Sequence, residues 1–105
     1  KNSGIVGPSA QDFLERFRAD YYIGGVGAID VNGTLLDFDI NEVALMKIMI
    51  ANSKHTFIAA DHTKFCSSAS VELGTAGDID VLFTDKAPPT PLASLFALQQ
   101  VEVVV

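Results

Sequence analysis

Asp61-His62-Thr63-Lys64 gathers a carboxylate, an imidazole and an ammonium immediately after the apolar run His55 to Ala60. A carboxylate accepts hydrogen bonds from hydroxyls, and a lysine ammonium pairs with phosphate as a compact charge, so this set suits a phosphorylated polyol. The same spacing has a plainer meaning, an N-cap residue followed by a solvated lysine, and spacing alone does not separate the two. Gly24-Gly25-Val26-Gly27, running on to Asp30, is a second candidate, because glycine-rich backbone leaves amides free to meet a phosphate or a hydroxyl. It lacks the full dinucleotide fingerprint and opens no helix, and close backbone packing explains it nearly as well. Thr84-Asp85 follows a third apolar run, Val81-Leu82-Phe83.

Other groupings carry less. Cys66 and His62 lie close enough in sequence for a thiolate–imidazole pair, but no orienting carboxylate or second oxyanion amide accompanies them. An unpaired cysteine commonly serves as a small buried hydrophobe. Two histidines and one cysteine fall short of a closed zinc site, so no metal and no other cofactor is expected. Asp37 and Asp39 stand near a helix start, where capping and dipole complementation are the expected work.

The candidate segments become neighbours only if the elements before them are parallel strands. Tyr21 to Gly25, Thr56 to Ala60, Val81 to Thr84 and Val101 to Val105 are apolar runs, most of them stopping at Gly or Asp, and are predicted strands. Helices are predicted between them. Ser9-Ala10-Gln11-Asp12 has capping-box spacing ahead of a buried stripe of Phe13, Leu14 and Phe17. Asp39 with Glu42 opens a second helix through Ala51, and Thr90-Pro91 opens a third with Leu92, Leu95, Phe96 and Leu98 on its buried side. Asn32-Gly33 marks a turn, and Cys66 to Gly77 reads as a loop with a short turn of helix. Alternation of this kind implies an α/β fold, a parallel sheet with helices on both faces. In such a sheet ligands bind outside the carboxyl ends of the strands, where all three candidate segments fall.

Composition narrows the function classes. A chain of 105 residues with 49% hydrophobic and 19% charged residues can offset the ordering entropy of one packed core, or form part of one. A formal net charge of −6 with scattered Lys and Arg leaves no basic stripe for a nucleic-acid duplex. No apolar stretch approaches the roughly 20 residues of a membrane span, and no signal-peptide core follows Lys1. Cys66 has no internal partner, which fits a reducing compartment such as the cytoplasm.

Several segments resemble the sensor domain of the DeoR family of bacterial repressors of sugar metabolism, in the family's order. They are Ser3-Gly4-Ile5-Val6-Gly7-Pro8, Phe17-Arg18-Ala19-Asp20, Gly25-Val26-Gly27-Ala28-Ile29-Asp30, Asp37-Phe38-Asp39 followed by Glu42-Val43, Ala60-Asp61-His62-Thr63-Lys64-Phe65, and Phe83-Thr84-Asp85. Gly33 to Phe38 is similar to members that answer to glycerol 3-phosphate. The resemblance implies that residues 1–105 are the carboxyl-terminal portion of the sensor, without its first part and without the amino-terminal winged helix-turn-helix through which such repressors reach DNA. It implies a fold similar to part of ribose-5-phosphate isomerase and glucosamine-6-phosphate deaminase. It also implies a phosphorylated sugar or polyol as effector, no membrane partner, and inducer response carried by Asp61 and Lys64. His62, Gly25, Gly27, Asp30 and Lys47 complete the expected effector-binding set.

The departures are informative. The family's glycine after Lys-Phe is Cys66 here, its next arginine is Ser67, and its Lys-Arg pair in the second helix is Met46-Lys47, which implies a weaker phosphate grip or a different effector. The isomerase pattern has acids where this chain has Gly24 and Gly27, and a lysine where it has Asp37. Glycine cannot act as a proton-shuttling base, so binding without turnover is expected. The competing readings are an isomerase- or deaminase-type enzyme and an oligomerisation fragment without useful ligand affinity. A sheet edge or apolar face left without its usual neighbours implies a homo-oligomer.

Overall fold

A computed structural model describes residues 8 to 105, so the Gly4 to Gly7 element lies outside the described residues. Four strands, β1 (Ala19–Gly25), β4 (Ser53–Ala59), β6 (Val81–Phe83) and β7 (Glu102–Val104), form a parallel sheet in the order β1-β4-β6-β7. Each overlaps an apolar run predicted as a strand, and no hairpin joins them. Crossovers through helices α2 (Ile40–Ala51) and α3 (Thr90–Leu98) keep the strands parallel.

Asp39 caps α2 as predicted. Its carboxylate accepts from the amides of Asn41 at 2.9 Å and Glu42 at 3.1 Å, two donors that have no partner inside the helix. Val43 and Leu45 are its buried residues. In α3, Leu92 and Phe96 are buried, whereas Leu98, expected on that side, is exposed at the last turn. The first helix departs further from expectation. α1 (Pro8–Leu14) opens on Pro8, whose fixed φ and missing N–H suit a first helical turn, so Ser9 lies within the helix instead of capping it. Because α1 ends at Leu14, Phe17 falls outside the helical period. Phe13 and Phe17 meet edge to face at 4.9 Å and remain exposed, where a buried stripe was expected.

A second sheet was not anticipated. Strands β2 (Ala28–Ile29), β3 (Thr34–Asp37) and β5 (Val71–Thr75) pair antiparallel in the order β2-β3-β5. The segment Cys66 to Gly77 is therefore not a plain loop. It supplies β5, and a short 3-10 turn, Ala76–Asp78, follows. At the predicted Asn32-Gly33 turn, Gly33 takes φ +79°, a left-handed conformation that glycine adopts without strain.

Ile29, Leu35, Ile58, Leu82, Leu92 and Phe96 are fully buried in one cluster, which joins the small sheet, α2 and α3 to a single face of the parallel sheet. On the other face Tyr21, Phe57 and Phe83 line up across the strands, with ring centroids 5.3 and 5.8 Å apart. Tyr21, Ile23 and Phe83 are exposed there among the described residues. Continuous apolar strands signal two buried faces, yet both α2 and α3 are spent on the first.

Candidate functional site

The carboxyl ends of three strands meet in register. Gly25 of β1 stands beside Ala59 of β4, and Ala59 beside Phe83 of β6. Ala60 extends the ladder by donating its amide to the Phe83 carbonyl at 2.9 Å. The chain leaves β4 through Asp61 and a single 3-10 turn, His62–Lys64, and leaves β6 through Thr84-Asp85. Ala59, Ala60, Asp61, Phe83, Thr84 and Asp85 line a shallow open groove of about 400 Å³ at this edge.

Asp61 begins the turn. One of its oxygens accepts from the Thr63 amide at 2.8 Å and from the Thr63 hydroxyl, so the capping meaning of Asp-x-x-Lys is realised. Those hydrogen bonds, with a smaller contribution from the Lys64 ammonium, hold the Asp61 carboxyl below the usual carboxylate range. No hydrogen bond engages its second oxygen among the described residues, and an exposed carboxylate oxygen remains free to accept from a ligand hydroxyl. Lys64 is half-buried at the end of the turn.

Sequence reasoning found no carboxylate to orient His62, and the fold corrects this. Asp85 accepts from the His62 backbone amide at 2.7 Å and contacts the ring Nδ1 at 2.8 Å. The hydrogen bond from the His62 ring lowers the Asp85 carboxyl from its ordinary value. The partner comes from the end of β6 and not from the local sequence. Its only sequence signal was the position of Thr84-Asp85 after an apolar run.

The remaining expected residues are placed unevenly. Gly25 and Gly27 lie on the segment leaving β1. A methyl group on Gly27 would come within 2.8 Å of the Phe38 ring, so that exposed ring would have to shift, whereas one on Gly25 would meet only the Ala59 carbonyl at 3.6 Å. Asp30 uses one oxygen to accept from the amides of Asn32 at 2.9 Å and Thr34 at 3.0 Å, closing the β2–β3 turn. Lys47 lines a different pocket, about 190 Å³ between α2 and the small sheet, with Leu73, Gly74 and Asp78. The groove and that pocket share no residue, so Asp61 and Lys47 are not brought together. Among the described residues, no cluster of His, Cys, Asp or Glu suits a metal ion, and no helix is long and apolar enough to cross a membrane.

Known proteins resemble the chain along nearly its whole length. The family model described as the DeoR C terminal sensor domain matches residues 1–86. The HTH-type transcriptional repressor CsqR of Escherichia coli K12 is 46% identical over 103 residues, covering 98% of this chain and 40% of that protein. The glycerol-3-phosphate regulon repressor of Escherichia coli K12 is 34% identical over 103 residues, with 98% and 41% covered. Its namesake from Haemophilus influenzae is 41% identical over 87 residues, with 83% and 34% covered. The chain thus spans about two fifths of the length of the first of these relatives. The parallel sheet with helices and the match over residues 1–86 agree, and the chain belongs to the DeoR C-terminal sensor domain family.

Proposed function

We propose that this region is the effector-binding part of a cytoplasmic transcriptional repressor and that its effector is a phosphorylated sugar or polyol, glycerol 3-phosphate being the first candidate. The observation that carries the proposal is the assembly of Asp61, His62 and Lys64 on one turn at the sheet's carboxyl edge, braced by Asp85. Two of the relatives described above are named for glycerol 3-phosphate, which supports that candidate. Asp61 accepts from effector hydroxyls and Lys64 pairs with the phosphate. Gly25 and Gly27 form the neighbouring rim, while Asp30 closes the β2–β3 turn and Lys47 lines the separate pocket beneath α2. DNA is reached through a winged helix-turn-helix that residues 1–105 do not include.

Binding without turnover is the other half of the proposal. Gly24, near the end of β1, and Gly27, just after it, offer no acid, while Asp61 caps the turn through one oxygen and Asp85 orients His62. Self-association belongs to the same reading, supported by the open apolar row of Tyr21, Ile23 and Phe83, a surface of the kind that seeks a partner. A thermal-shift panel of phosphorylated sugars and polyols, followed by chromatography of the recovered ligands, tests the proposal. A ligand present at about a hundred times its Kd stabilises by about 2.7 kcal/mol. Stabilisation with unchanged ligand is the expected result. A converted ligand supports the isomerase or deaminase reading, and no stabilisation across the panel supports an oligomerisation fragment.

A further inference from the structure

Both carboxylate oxygens of Asp85 engage His62, and the Thr84 hydroxyl also donates to one of them, at 3.5 Å. One accepts from the backbone N–H of His62 at 2.7 Å and the other meets Nδ1 of the same residue at 2.8 Å. An ionised carboxylate only accepts, so Nδ1 must carry a hydrogen. In the neutral ring the single N–H is then spent on Asp85, and Nε2 presents a lone pair. Nε2 has no hydrogen-bond partner among the described residues, and the side chain is 45% exposed beside the groove. The charged groups on the two segments that meet here are Asp61 and Lys64 on the turn, and Asp85 and Lys86 after β6.

The oxygens of a phosphate dianion are acceptors only, and a lone pair at Nε2 repels them. We infer that Asp85 is a positioning residue that makes effector binding proton-linked: with Nδ1–H fixed on Asp85, His62 can donate to an effector phosphate only after Nε2 takes a proton from solvent. This rests on the effector reading given above. The imidazolium then lies between the Asp85 carboxylate and the phosphate, donating to each. Histidine is the side chain whose ordinary titration allows such a step near neutral pH.

Asp85→Asn separates orientation from structure. Asparagine keeps an oxygen for the His62 amide and can turn its NH2 toward Nδ1, which then becomes the acceptor. The neutral ring carries its hydrogen on Nε2 and donates to phosphate with no proton taken up, the tautomer reversal that removing a buried carboxylate's charge produces in other Asp–His pairs. Asp85→Asn therefore alters the pH response more than the fold.

The experiment is calorimetric titration of the full-length repressor with glycerol 3-phosphate at about pH 8, in two buffers of unlike ionisation heat. A phosphate monoester has its second ionisation at about 6, so the ligand contributes no protons there. The wild type is expected to take up close to one proton per site, and its affinity to fall about tenfold for each pH unit above neutrality. Asp85→Asn and, independently, His62→Gln should bind with uptake near zero and a flat profile. Wild-type binding that Lys64→Ala weakens but that shows no proton uptake overturns this inference and leaves the site reading intact. Uptake retained in either Asp85→Asn or His62→Gln also overturns it. Wild-type binding that Lys64→Ala leaves unchanged overturns the site reading and this inference together, as does a wild type that binds no glycerol 3-phosphate. If Asp85→Asn fails to fold, His62→Gln decides the question, because the backbone amide still reaches Asp85.

Discussion

Lys64→Ala is expected to bind its phosphorylated effector ten- to a hundredfold more weakly than the wild type while binding operator DNA normally. A hydrogen bond to a charged group contributes about 1.5 to 3 kcal/mol, which corresponds to that range of affinity. The charge removed belongs to the sensor and not to the DNA-reading element, so the variant should repress and fail to be induced. Asp61→Asn should share the phenotype for a different reason. Asparagine is as good a cap as aspartate, so the amide and hydroxyl of Thr63 keep their acceptor and the turn survives. What is lost is the charge and one acceptor oxygen available to the ligand. An operator-release titration reads both variants. Release of Lys64→Ala at wild-type effector concentrations removes Lys64 from the site.

Phe96→Ala is expected to cost about 3 to 5 kcal/mol, the range for emptying a buried phenylalanine site. Domains of this size are stable by about 5 to 15 kcal/mol, so the loss is a large fraction of the total and leaves a domain at the lower end of that range marginal. Phe96 is 0% exposed and belongs to the cluster that joins Leu35 of the small sheet, Val43 of α2, and Ile58 and Leu82 of the parallel sheet. Phe96 thus places α3 in the same core as both sheets and α2. Chemical denaturation followed by circular dichroism measures the change. A loss below about 1 kcal/mol would be that of a surface position and would contradict the packing described here.

The contrast between these two predictions follows what local sequence encodes. The strands of the parallel sheet were legible because each overlaps a short apolar run, with cap and turn residues nearby. β5 was not. In Val71-Glu72-Leu73-Gly74-Thr75 only Leu73 is buried, and a strand at the edge of a three-stranded sheet carries no apolar run. β2 has two residues, too few for any periodicity. Ser9 misled because a hydroxyl followed by an acid has capping spacing, and proline one residue earlier outcompetes it as a helix start.

The same limit governs the site. Asp61, His62 and Lys64 were found because they are adjacent in sequence and follow a strand. Asp85 was missed as the partner of His62 because 23 residues separate them, and only the parallel pairing of β4 with β6 brings them together. Lys47 shows the converse. Its place on α2 was readable, but which cavity that helix presents it to depends on how α2 packs against β5.

The central claim is that the effector binds at the carboxyl edge of the parallel sheet, on the turn after β4. An amide chemical-shift titration of nitrogen-15-labelled protein with glycerol 3-phosphate tests it most directly, because each backbone N–H reports on its own surroundings. The account predicts that Thr63, Lys64, Thr84 and Asp85 move together and saturate at one affinity, while Lys47, Gly74 and Asp78 stay in place. Saturable shifts confined to Lys47, Gly74 and Asp78, with the turn after Asp61 unmoved, would put the effector in the pocket beneath α2 and contradict it.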